Sequence, residues 1–150
     1  LPLLTAYHTE LAQNERLYAA YQHVADTEYA SLPAACRKLL DNALRDFRRS
    51  LRGGVRIACG TDAGTPFNPH GNAPLEIVRM VEWGMTPLQA MCSATSNAGE
   101  LLRLSDGGMV TEGAAADLVL FDSNPIEDIN AVLEPALVIK DGGVVPGSLP

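Results

Sequence analysis

A five-residue run, Val55-Arg56-Ile57-Ala58-Cys59, stands between Gly53-Gly54 and Gly60 and is β-branched at two positions. A short run of that kind, closed off by glycines, predicts a β-strand. Ahead of it, Cys36, Leu39, Leu40, Ala43, Leu44, Phe47 and Leu51 recur at helical steps with Arg and Asp between them. That stripe predicts an amphipathic helix from about Pro33 to Leu51, stopped by Gly53-Gly54. Behind it lies a polar loop, Gly60 to Gly71, with three glycines and two prolines. A helix from about Pro74 to Trp83 follows, stopped by Gly84. Strands alternating with helices point to a parallel sheet, open or closed into a barrel. In either form, ligands sit beyond the C-terminal ends of the strands.

The flanking segments fill in the order of elements. Leu3 to Tyr7 is a short apolar run that fits a strand, and Thr9 to Asp26 has helical composition and spacing. Thr86-Pro87-Leu88-Gln89 has a cap, a proline at the first helical position and a Gln three residues after the cap. This is a capping-box signature, so a helix runs from there to about Ala94. Asn97 with Glu100 repeats the device. Beyond Asp106-Gly107-Gly108 the pattern turns to short strand candidates: Met109-Val110, Asp117 to Phe121, Leu137 to Lys140, and Val144-Val145. Lys140-Asp141-Gly142-Gly143 is a tight-hairpin signal, because Asp-Gly tolerates the positive φ angles of that turn.

Composition narrows the partners. The net charge is −7, and Arg48, Arg49 and Arg52 are interleaved with apolar positions rather than gathered on one face. Nucleic acid and anionic membranes are poor partners for such a surface. No stretch is apolar for long enough to span a bilayer. The three cysteines, Cys36, Cys59 and Cys92, are odd in number and widely spaced. They form neither a disulfide framework nor a zinc-finger spacing, which fits free thiols in a reducing compartment such as the cytoplasm.

Two residues of the Gly60–Gly71 loop have chemistry to offer. Asp62, in Gly60-Thr61-Asp62-Ala63-Gly64, and His70, in Pro69-His70-Gly71-Asn72, fall on one strand-end loop. Such a pair can act as metal ligand, base or substrate clamp. The plainer readings are an Asx-turn residue that organises the loop, and a histidine bonded to backbone. His8 and His23 lie outside any ligand spacing, and Glu76 reads as a first-turn carboxylate favoured by the helix dipole.

Gly54-Val55-Arg56-Ile57-Ala58-Cys59-Gly60-Thr61-Asp62-Ala63-Gly64 resembles the eighth barrel strand of the amidohydrolase superfamily, in its imidazolonepropionase-like and Xaa-Pro dipeptidase (prolidase)-like branch. The resemblance continues through Pro69-His70-Gly71, Met80 to Pro87, Ala90 to Thr95, Gly113 to Leu120, Asn124 to Ile129 and Val138 to Gly142. It implies an α/β fold: residues 1–108 as the last part of a (β/α)8 TIM barrel, with Leu1 to Leu4 as its seventh strand. Residues 109–150 would be a small β-sandwich-like segment of the composite, urease-like domain. It also implies hydrolysis of a C–N bond in a small amide, cyclic amide or dipeptide. Asp62 would be both a ligand of a divalent metal, zinc, and a proton shuttle, and His70 would lie beside the substrate.

The sequence departs from that family in its ligands. The family's His-x-His pair, its bridging Lys or Glu and its two further histidines are absent, since the only histidines are His8, His23 and His70. A whole barrel also needs ~200 residues or more. The expectation is a fragment, inactive alone, whose metal site is completed elsewhere. Its exposed edges would pair with a second copy or with a missing N-terminal part. A non-catalytic assembly or regulatory subunit on the same scaffold, and an unrelated open α/β ligand-binding domain, are the alternatives.

Overall fold

The computed structural model describes residues 34–64 and 70–146. They fall into two compact units: one contains the residues through Val55 and Gly60–Ala73, the other Arg56–Cys59 and the chain from Pro74 onward. The expected strand at Leu3 to Tyr7, the helix from Thr9 to Asp26 and the break at Ser31 to Pro33 lie outside the described residues.

In the first unit, helix α1 spans Ala34–Arg52, close to the expected limits. Its last turn carries Arg49 and Arg52, cations that suit the negative end of the helix dipole. The amide of Gly53 donates to the Arg49 carbonyl at 2.9 Å, and that of Val55 donates to Ser50 at 3.0 Å. Gly54, at φ 70°, makes the left-handed turn that brings the chain back over those carbonyls. Of the expected apolar stripe, Phe47 is buried, Leu40, Ala43, Leu44 and Leu51 are half-buried, and Leu39 is exposed.

The second unit is built on three helices. Helix α2, Ala73–Glu82, buries Ile77, Val78 and Met80 on one side and ends where Gly84 turns at φ 119°. Helix α3, Pro87–Ala94, opens with the capping box that the sequence announces. The Gln89 amide donates to Thr86 Oγ1 at 3.2 Å, and the Thr86 amide donates to Gln89 Oε1 at 2.9 Å. Helix α3 buries Ala90 and Ser93. Helix α4, Ser96–Leu101, has Thr95 at its N-cap with no side-chain cap, so the expected second capping box does not form. Its two members are engaged elsewhere: Asn97 Nδ2 donates to the Ile57 carbonyl at 2.9 Å, and Glu100 pairs with Arg56.

The run from Val55 to Cys59 differs from its expected strand. It has no strand pairing among the described residues. Two backbone groups of its half-buried part find partners on the helices. The Cys59 amide donates to the Ser93 carbonyl at 2.8 Å, and the Ile57 carbonyl accepts from Asn97.

Helix α4 joins the β region through a close approach. A Cβ placed on Gly99, which is buried in α4, would lie 2.8 Å from the Gly107 carbonyl oxygen. One placed on Gly108, at φ 87°, would lie 2.7 Å from the Thr95 oxygen. Only glycine fits at either position. Beyond it stands a three-stranded antiparallel sheet in the order β1 (Leu118–Leu120), β2 (Leu137–Lys140), β3 (Gly143–Val144). Leu118 pairs with Ile139 and Leu120 with Leu137, while Ile139 pairs with Val144.

The β2–β3 turn has Asp141 at φ 51° and Gly142 at φ 78°, the two positive angles that the Asp-Gly signal called for. Asp117 closes it from outside, accepting from Lys140 Nζ at 2.7 Å and the Asp141 amide at 2.8 Å. These bonds hold the Asp117 carboxyl below its ordinary range. Between β1 and β2, Asn124 Oδ1 accepts from the Ile126 amide at 3.0 Å, and Asp128 caps a 3-10 helix, Ile129–Leu133, whose Val132 is buried. Met109 and Val110 form no strand; both are exposed and lead into a turn closed by the Ala114 amide on the Thr111 carbonyl. No described helix is long and apolar enough to cross a membrane.

The close approach at Gly99 yields a stability prediction. Gly99→Ala overpacks the α4 contact and lowers unfolding stability by about 1–3 kcal/mol. Gly60→Ala, with nothing near its Cβ position, shifts it by less than about 0.5 kcal/mol. Urea unfolding followed by circular dichroism compares the two.

Candidate functional site

The loop that follows Cys59 is shaped by its own backbone. Thr61 Oγ1 accepts from the Ala63 amide at 3.3 Å, folding a small turn around Asp62. Asp62 sits at φ 52°, a left-handed angle that Asp tolerates better than most residues. Its side chain is exposed. Gly64, at φ 97°, carries the chain onward. The His70 ring lies over Gly64, where a Cβ would stand 3.3 Å from Nε2. The structure thus keeps the two expected site residues, Asp62 and His70, within one unit and one loop, both open to solvent. An exposed carboxylate and an imidazole can take up and release protons, or ligate a cation, without first being uncovered. His8 and His23 lie outside the described residues.

Three polar features of the second unit escaped the sequence reading. Cys59 is half-buried, and its thiol is pushed up to about 11, first by burial and then by the negative charge of Glu76. Glu76 occupies the first turn of α2 as expected, but its side chain is buried. Arg56 grips Glu100 with both guanidinium ends, at 2.6 and 2.5 Å. These hydrogen bonds raise the Arg56 pKa and lower that of Glu100. The pair borders an open groove of about 390 Å3 with Ile57, Asn97 and Arg103, but its charges already answer one another. No local signal announces these pairings, because Arg56 and Glu100 stand far apart in the chain.

Among the described residues, no three His, Cys, Asp or Glu side chains are grouped to hold a metal ion. A catalytic zinc takes three protein ligands and keeps one position open. Asp62 and His70 alone do not meet that demand, so the described residues do not fit a complete metal centre.

Comparison with known proteins settles the family. The profile of the amidohydrolase family matches residues 7–145. The chain belongs to the amidohydrolase family. It is 38% identical over 110 residues to ochratoxinase of Aspergillus niger, a match that takes 70% of this chain and 22% of that protein. Among solved structures, it is similar to a Xaa-Pro dipeptidase with methionine bound in its active site. That likeness has a TM-score of 0.68 at 32% identity, covering 95% of this chain and 33% of that one. The α/β barrel-hydrolase fold expected from the sequence is therefore the fold of this family member, of which the chain represents a part. A further match is of another kind: 51% identity over 51 residues to oligopeptidase A of Escherichia coli, covering 33% of this chain and 8% of that protein. The chain spans about a fifth of the length of ochratoxinase and a third of the dipeptidase.

The Cys59 environment predicts a guarded thiol. With its pKa at about 11, Cys59 holds almost no thiolate at neutral pH. Iodoacetamide at pH 7.5, followed by peptide mapping, should label Cys59 at least tenfold more slowly in the folded chain than in urea. The linkage has a definite sign. An unfolded thiol ionises near ~8.5 while the folded one keeps its proton, so Cys59 draws stability down as pH rises from about 9 to 11.

Proposed function

We propose that this chain is the C-terminal part of a hydrolase that cleaves a C–N bond in a small amide, cyclic amide or dipeptide. The observation that carries the reading is the place of Asp62: an exposed carboxylate at a left-handed backbone position, in the family's Gly-Thr-Asp-Ala-Gly run, directly after the extended Arg56–Cys59 segment. The family membership supports the reaction class, and the names of the relatives, among them ochratoxinase and imidazolonepropionase, support an amide-like substrate.

In this reading Asp62 moves the proton. Its carboxylate takes one from the attacking water and gives it to the departing nitrogen, which leaves as a neutral amine. Exposure of the Asp62 side chain suits a group that meets solvent water on one side and substrate on the other. His70, in the same loop, lies beside the substrate as a hydrogen-bonding partner. Zinc or another divalent metal, with Asp62 as one of its ligands, belongs to the proposal. Its remaining ligands would come from outside the described residues, because Asp62 and His70 do not make a site by themselves.

Incompleteness of the chain has its own support. Leu101, Leu102, Met109 and Val110 are 61–84% exposed, apolar surface that a further part of the hydrolase could cover. That surface favours association with a further part of the hydrolase or with a second copy.

The test is turnover of a panel of dipeptides and N-acyl amides. The chain alone is expected to be inactive. A hydrolase reconstituted with the family's ligand-bearing barrel part should turn over, and Asp62→Asn should lower its kcat by about 10²–10⁴-fold without lowering stability. Unchanged turnover in Asp62→Asn would remove Asp62 from the mechanism. Activity of the chain alone would overturn the incomplete-site reading.

A further inference from the structure

We infer that this chain joins two protein lineages, with the seam at Gly53-Gly54: an amidohydrolase part from there onward, and an amino-terminal third related to a segment of oligopeptidase A. The inference uses the family membership above but not the proposed activity. Its first support is the pattern of identity. The ochratoxinase match takes 70% of the chain, and the share left over is close to the 33% taken by the oligopeptidase A match. The amidohydrolase runs lie between Gly53 and Val145. If the 51-residue match fell on those same residues, at 51% identity, the two relatives would have to resemble each other there as well. The simpler arrangement puts it on the residues before the seam.

The structure adds the way helix α1 ends and what it buries. The division into compact units does not follow the seam, since Gly60–Ala73 shares a unit with the residues through Val55, so the structural support lies in helix α1 itself. Helix α1 ends in a complete C-terminal cap, with Gly53 bonded to Arg49, Gly54 to Leu51 and Val55 to Ser50. Its backbone therefore asks nothing of the segment that follows. Among the side chains described in α1, Phe47 alone is buried, whereas α2 buries Glu76, Ile77, Val78 and Met80 along ten residues. A helix packed on a barrel sheet buries a full stripe.

The family profile reaches back to residue 7, and the dipeptidase likeness covers nearly the whole chain. Against these stands the 51% identity over 51 residues to a protein of another kind. The seam is therefore read from the pattern of identity and from the residues of α1 that are described. Identity at that level across a third of the chain is what the second lineage is inferred from. On this assignment the amidohydrolase part begins at the Gly53-Gly54 seam, just ahead of the Arg56–Cys59 segment.

Two parts of separate descent share no cooperative core, so the test is coupling within the intact chain. Hydrogen exchange read by mass spectrometry is compared between the parent, Gly99→Ala and Phe47→Ala. Gly99→Ala is expected to raise exchange over residues 74–110 by tenfold or more and to change residues 34–52 by less than twofold. Phe47→Ala is expected to do the reverse, so the result does not depend on either variant alone remaining folded. If either substitution accelerates both regions by a similar factor, the two parts are one domain and the inference fails. Its failure leaves the Asp62 proposal intact, because that proposal is read from turnover.

Discussion

The second unit depends on how one short extended segment is satisfied. Arg56–Cys59 has no strand beside it among the described residues, and its half-buried part, Ile57 to Cys59, gains from hydrogen-bond partners. Helices α3 and α4 supply the bonds instead. The Ser93 carbonyl receives the Cys59 amide, and Asn97 reaches the Ile57 carbonyl. Ser93 is fully buried, and its own hydroxyl donates to Ala90 at 2.6 Å, so the anchor is itself held. The Arg56–Glu100 pair adds a clasp at the segment's start, but it is exposed, and such pairs contribute little.

From that anchor the chain passes directly into the loop bearing Asp62. The sequence of elements is therefore capped helix, helix-held segment, and a glycine-shaped turn that leaves the Asp62 side chain exposed. The β region is organised by separate devices: an Asp-Gly turn between β2 and β3, Asp117 bracing it, and the Gly99 contact tying α4 to the loop ahead of the sheet. The Gly99 contact leaves no room for a side chain, and the Asp-Gly turn needs residues that accept positive φ.

Much of this was legible in the sequence, and the physics explains which parts. Local signals survived: the α1 limits, the Thr86–Gln89 capping box, the Gly84 stop, and the Asp141-Gly142 turn. Each is decided by residues a few positions apart. Two of the misreadings share a cause, competition from distant partners. Asn97 and Glu100 looked like a cap, but Ile57 and Arg56 claim them across the fold. Val55 to Cys59 looked like a strand, but helix groups supply the hydrogen bonds that a neighbouring strand would provide. Met109-Val110 had the composition of a strand and no partner to make it one. At the site, Asp62 and His70 were legible as residues of one loop, because a loop keeps its residues together whatever the rest of the chain does. The raised Cys59 thiol was not, since it arises from burial and from Glu76 on another element.

The account treats Asp62 as one part of a metal-bearing site that the described residues leave incomplete. The most direct test is zinc titration of the isolated chain against a competing chromophoric chelator, with Asp62→Asn alongside. The account predicts no stoichiometric tight zinc in the isolated chain and the same weak response in both proteins. One equivalent of tightly held zinc that disappears in Asp62→Asn would contradict it, because this chain would then hold the whole site.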